Sequence, residues 1–130
     1  SPEGFELPAT VDADVARVGT DGAELLRFRD PVAAVKDVDA VYTDVWTSMG
    51  QEAEADRRHV AFEAFRVDKD LMDAAAPHAV FLHCLPAHRG QEVAGEVIDG
   101  PASRVWPQAA NRMHAARGLL AWLLGEGAES

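Results

Sequence analysis

A second cysteine, a surplus of basic charge and a long apolar run are all missing from this 130-residue chain. With one cysteine no internal disulfide can form, which fits a reducing compartment and leaves folding to the core. Against 22 acidic residues stand 12 Lys and Arg, a formal net charge of -10. Such a chain is repelled by phosphate backbones and anionic bilayers, so neither nucleic acid nor membrane is expected as its main partner. No apolar stretch nears the roughly 20 residues that cross a bilayer. The opening SPEGFELPAT has neither the basic end nor the apolar core of a signal peptide, so a cytoplasmic location is expected. Repeats, low-complexity tracts and long linkers are absent too. What is present is an apolar content of 48%, enough to build one domain core at this length.

Helix-like and strand-like segments alternate. Residues 8–18 (PATVDADVARV) have helix-compatible spacing behind Pro8, with Thr10 as a cap and a stop at residues 19–22. Residues 24–29 (ELLRFR) are expected as a strand, followed by a short helix over VAAVKDV with Pro31 at its first position. Residues 40–45 (AVYTDV) make a second strand, 52–65 a charged helix with an apolar stripe at Val60, Phe62 and Phe65, and 68–76 a shorter helix. The brief apolar run 80–83, bounded by His78 and Pro86, makes a third strand. A helix over 91–98, a fourth extended piece over 103–106 and a long helix over 108–124, ending at Gly125, complete the pattern. Strands alternating with helices imply a doubly wound α/β domain with a parallel sheet. In that class ligands bind beyond the carboxyl ends of the strands.

Two polar loops then share one sheet edge. The strand AVYTDV leads into Asp44, Trp46, Ser48, Met49 and Gly50, and AVFL leads into His83, Cys84 and Pro86. TDVWTSMG has the makings of a small-molecule grip: a carboxylate for a cation, a hydroxyl that both donates and accepts, and a glycine that lets backbone amides come close to an anion. The competing reading has Asp44 and Ser48 capping the next helix. Cys84 is open to three readings. A zinc site would draw on His83, Cys84 and His88, but lacks paired ligand spacings, and adjacent residues of a strand point to opposite faces. A Cys-His nucleophile meets the same difficulty. Packing at a strand end is the third. Arg112, in NRMHAARG near the start of the last helix, could clamp an oxyanion or phosphate there, or be a solvated charge. Leu119, Leu120, Leu123 and Leu124 mark a core or interface stripe.

Taken together, TDVWTSMGQE, FLHCLPA and ANRMHA, in this order and at these separations, resemble the C-terminal, ornithine-binding half of ornithine carbamoyltransferases, and the resemblance spans essentially the whole chain. Aspartate carbamoyltransferases have proline where Cys84 stands, and putrescine carbamoyltransferases lack the Ser-Met-Gly. The resemblance implies the Rossmann-like half of the carbamoyltransferase fold. It also implies transfer of the carbamoyl group of carbamoyl phosphate to the δ-amine of L-ornithine, giving L-citrulline and phosphate in arginine metabolism. By position, Asp44 and Ser48 hold the α-ammonium and the Met49 amide holds the α-carboxylate. Cys84 and the Leu85 carbonyl lie at the δ-amine and carbamoyl group, and Arg112 binds carbamoyl phosphate. No metal or organic cofactor is implied, Cys84 acts without a covalent intermediate, and the assembly is a homotrimer or a multiple of one.

The family's Ser-x-Arg-Thr-Arg and His-Pro-x-Gln strings, which belong to its carbamoyl-phosphate domain, do not occur in these residues. Ser1-Pro2-Glu3-Gly4 reads as a turn with no methionine before it. The expectation is therefore a single ornithine-binding domain over 1–130, incomplete at its N-terminus, without the carbamoyl-phosphate domain and inactive by itself. A stand-alone amino-acid-binding or regulatory module is the alternative. Gln108-Ala109-Ala110 stands where many members carry acidic residues, a change expected to alter local helix-start electrostatics.

Overall fold

The computed structural model describes residues 1–19, 23–48, 50 and 52–125. Strand β1 (Ala40–Thr43) and strand β2 (Val80–His83) pair in parallel, with Val41 opposite Phe81 and Thr43 opposite His83. Parallel pairing needs a long crossover, and helices α3 (Ala55–Phe62) and α4 (Lys69–Asp73) supply it. Along β2 the period of two sends Phe81 and His83 to the inner face, where both are fully buried. Around Phe81 gather Val35 of α2 (Pro31–Val35), Leu71 of α4, Ile98 of α5 (Gly95–Ile98) and Val105 of α6 (Val105–Leu123). Each packed side chain of this size stabilises by about 1.5–3 kcal/mol. Helix α1 (Thr10–Val18) buries nothing.

Local caps explain where the short helices begin. Asp30 accepts the Val32 amide at 2.9 Å, and Pro31 occupies the first helical position as expected. Asp68 does the same for Leu71 at 2.9 Å. The N-terminal turn is present, closed by the Phe5 amide on the Pro2 carbonyl at 3.2 Å with Gly4 at φ 81°.

The sheet is narrower than expected. Among the described residues, 24–29 join no ladder. Their arginines turn back to the N-terminal segment instead, Arg29 to the Ser1 and Pro2 carbonyls at 3.0 Å each and Arg27 to Asp12 at 2.9 Å. The 103–106 piece is extended only at its start: Ser103 bridges Phe81, and Val105 already opens α6. Residues 91–94 are not helical because their backbone pairs with Val67, whose amide meets the Glu92 carbonyl and whose carbonyl takes the Ala94 amide, both at 2.9 Å. The helix expected over 52–65 is α3 flanked by single 3₁₀ turns, and Val60 of its apolar stripe is 78% exposed.

Helix α6 starts three residues before the expected Gln108. Pro107 is tolerated because amides of a first helical turn lack intrahelical partners in any case. Only Val105 of α6 is buried, and Met113, Leu119, Leu120, Trp122 and Leu123 stand exposed. Gly125, at φ 79°, follows its end. No helix among the described residues is long and apolar enough to cross a membrane.

Candidate functional site

The parallel register places the ends of β1 and β2 side by side, so Asp44 and Cys84 leave the sheet as neighbours although 40 residues apart in sequence. The Cys84 thiol donates to Asp44 Oδ1 at 3.0 Å. The same oxygen accepts the Val45 amide at 2.7 Å, so Asp44 caps its own turn and not the following helix. Its carboxylate is exposed at the sheet edge. Hydrogen bonding to this carboxylate, with burial, pushes the thiol's pKa up, since both favour the neutral S–H; the Tyr42 phenol beside it acts in the opposite direction. The phenol is itself pushed up, first through its hydrogen bond to Cys84. Cys84 is thus kept a neutral, partly exposed thiol, which suits a polar contact better than a nucleophile.

The rest of the loop is anchored from below. The Trp46 ring is buried against His59, centroids 5.4 Å apart, and Phe62, 6.3 Å. Arg58 of α3 donates to the Trp46 carbonyl at 3.4 Å. Ser48 lies exposed on the same loop, and Met49 falls outside the described residues. Beyond β2, Leu85 takes a left-handed φ of 58° and precedes a cis Pro86. The strand's alternation therefore stops at His83, which corrects the expectation that His83 and Cys84 face apart. Ligating atoms of Asp44, His83 and Cys84 lie within 4.8 Å of one another. On the His83 ring Nδ1 accepts the Leu85 amide at 2.9 Å, while Nε2 lies 3.3 Å from Glu92 Oε1 and makes no hydrogen bond among the described residues.

Arg112 is exposed and lies seven residues beyond Val105, well past the helix start. The unpaired amides and positive dipole end that would reinforce a phosphate clamp belong to the first turn, where Gln108 sits. Gln108 reaches the site instead, its Oε1 taking the His83 amide at 3.0 Å. The structure thus unites Asp44, Cys84 and Leu85, and Arg112 lies exposed on α6 one turn beyond Gln108. His83, a candidate from its place at the strand end, borders the site, and so do Tyr42, Glu92 and Gln108, which the sequence does not single out for it. Tyr42 was legible as a neighbour of the strand end, whereas the burial of Glu92 has no local signal. A cavity of about 640 Å³ touches Thr43 and Asp44 but is lined by Leu7, Phe28 and Phe62 and not by Cys84. The chemistry at the strand ends, and not this trough, defines the site.

Parallel strands that deliver a thiol and a carboxylate to one edge define an α/β domain with its polar groups at the strand ends, and the chain belongs to the aspartate/ornithine carbamoyltransferase family. The family model described as "Aspartate/ornithine carbamoyltransferase, Asp/Orn binding domain" matches residues 1–123. More narrowly, the chain is 54% identical over 126 residues to an ornithine carbamoyltransferase of Bordetella avium, covering 93% of this chain and 40% of that protein. It is 53% identical over 126 residues to one of Pyrococcus abyssi, covering 96% and 40%. The solved anabolic ornithine carbamoyltransferase of Campylobacter jejuni is similar with a TM-score of 0.87 at 33% identity, over 97% of this chain and 42% of that one. The chain spans about 40% of the length of the curated relatives it matches.

Proposed function

We propose that this chain is the L-ornithine-binding domain, over 1–130, of an ornithine carbamoyltransferase that carries carbamoyl from carbamoyl phosphate to the δ-amine of L-ornithine. The observation that carries this reading is the Cys84 thiol on Asp44 Oδ1 at 3.0 Å, at the adjoining ends of two parallel strands. Asp44 and Ser48 take the α-ammonium, the Met49 amide the α-carboxylate, and Cys84 with the Leu85 carbonyl lines the δ-amine and carbamoyl group. Arg112 takes carbamoyl phosphate, its guanidinium matching the oxyanion in charge and geometry.

An alkyl ammonium of pKa about 10.4 must lose a proton before its lone pair can attack a carbonyl carbon. The amine nitrogen then bonds to the carbamoyl carbon, the tetrahedral oxyanion collapses, and the C–O bond to phosphate breaks. Phosphate leaves with the bonding pair and accepts the second proton. The Leu85 carbonyl can accept from the amine and Arg112 can offset the oxyanion, so the pocket works by orientation and charge placement. A neutral Cys84 fits this scheme without a covalent intermediate. We assign no metal: the Cys84 thiol keeps its proton on Asp44 and His83 Nδ1 accepts the Leu85 amide. We place the enzyme in the cytoplasm as a homotrimer or multiple of one.

The test is citrulline formation from ornithine and carbamoyl phosphate by the full-length protein that carries this chain, beside the 130-residue chain alone. Turnover by the first and none by the second is expected. Ornithine binding with no turnover by the full-length protein would favour an amino-acid-binding or regulatory module.

A further inference from the structure

Two ionisable side chains of the core have no part in the roles assigned above. His83 and Glu92 are both 0% exposed, and a buried carboxylate forfeits its hydration. They bracket the segment that carries Cys84 and Leu85. The Leu85 amide donates to His83 Nδ1 at 2.9 Å, so the ring proton sits on Nε2, which lies 3.3 Å from Glu92 Oε1 without the alignment of a hydrogen bond; His83 Nε2 and Glu92 Oε2 are buried with no hydrogen-bond partner among the described residues. Glu92 Oε1 also accepts the His88 amide at 2.6 Å. The His83 amide is held by Gln108 at 3.0 Å, and the Glu92 carbonyl by the Val67 amide at 2.9 Å. Between these anchors Leu85 keeps a φ of 58°, a left-handed conformation in which a leucine Cβ crowds the carbonyl oxygen. Backbone in that region persists where its surroundings over-determine it.

We infer that His83 and Glu92 are positioning residues of this site: Glu92 locates the His83 ring, the ring pins the Leu85 amide, and the pinned turn aims the Leu85 carbonyl and the Cys84 thiol at the ornithine amine. The inference rests on the carbamoyltransferase reading. Stability does not account for the pair, because well-packed apolar residues in such a position are often as stable or more so.

Reach, and not charge, is what this role requires of Glu92, so two conservative variants of the full-length protein separate the possibilities. Glu92→Gln keeps Oε1 at the same distance without the charge, and Glu92→Asp keeps the charge but retracts the oxygen by one methylene. Both are assayed below their measured melting temperatures for citrulline kinetics. The rate of Cys84 alkylation by iodoacetamide is followed by peptide mass spectrometry. Glu92→Asp should lower kcat by roughly tenfold or more, with KM for carbamoyl phosphate little changed, because small misplacements of reacting groups are costly in rate. Its Cys84 should alkylate several-fold faster as the thiol leaves Asp44. Glu92→Gln should stay within about threefold of wild type in both readouts, as expected where geometry is retained. The reverse ranking would make Glu92 an electrostatic group, and unchanged kcat and alkylation in both variants would leave it purely structural; either result overturns the inference. If Glu92→Asp does not fold, His83→Asn, which keeps an acceptor for the Leu85 amide, against His83→Gln, which moves it, gives the same contrast. A wild-type protein that makes no citrulline would sink the carbamoyltransferase reading, while the alkylation ranking would still decide whether the pair holds the turn.

Discussion

The segment from β2 to α5 and the helix α6 meet at the same site but are built in opposite ways. From Phe81 to Ile98 the chain has fully buried side chains at Phe81, His83, Glu92 and Val93, and its backbone is pinned by side chains and by Val67. In α6 only Val105 is buried, and the helix carries its leucines and Trp122 outward. A helix satisfies its backbone internally and so keeps its shape without a packed face, whereas a turn with a left-handed leucine cannot. The consequence for function is a division of labour. On the proposed reading, the ornithine side at Asp44 and Cys84 is preorganised by long-range contacts, and the phosphate side at Arg112 rides on a helix whose one buried residue is in its first turn.

The largest effect expected from this contrast is on stability. Phe81→Ala should destabilise the chain by about 3–5 kcal/mol in urea unfolding, and Leu120→Ala by less than about 0.5 kcal/mol, as for an exposed surface site. Comparable losses would mean that α6 is packed after all and would break the comparison. Next in size, Cys84→Ala in the full-length enzyme should raise KM for ornithine by roughly tenfold, the worth of one polar contact, and leave carbamoyl phosphate binding nearly untouched. Steady-state kinetics with each substrate varied in turn checks this, and equal losses would show that the two sides are not separate. The smallest effect concerns pH. Folding raises the thiol's pKa above its ordinary value, so the neutral Cys84–Asp44 contact is at full strength below that ordinary value, and its contribution fades as pH climbs through the raised one. Asp44→Asn removes the carboxylate that does most of this, so Cys84 should alkylate several-fold faster at mildly alkaline pH, where the thiolate fraction of an ordinary thiol becomes appreciable. An unchanged rate would assign the shift to burial instead.

Much of this was legible in the order of residues. The runs AVYTDV and AVFLH announce strands, Asp30-Pro31 announces a helix start, and TDVWTSMG with HCLPA places the polar groups at strand ends. The errors fall where a local pattern competes with a distant partner. ELLRFR alternates like a strand but joins no ladder among the described residues, and 91–94 looks helical until Val67 takes its backbone. Gln108 reads locally as a change in helix-start electrostatics, and it serves as an acceptor for the His83 amide from 25 residues away. Arg112 was expected near a helix start that actually lies at Val105.

By itself, then, the sequence determined the chemistry on offer: one thiol, an acidic grip, an arginine on a long helix, and the two periodicities that make an α/β domain. Periodicity is local, because it depends only on how side chains alternate along a strand or helix. Tertiary structure alone decided that Cys84 meets Asp44 across 40 residues, that Leu85 turns left-handed over a buried His83 and Glu92, and that the leucines of α6 lie outside the core of this chain. Those outcomes rest on the parallel register of β1 and β2 and on which backbone groups are already taken, and no stretch of neighbouring residues encodes either.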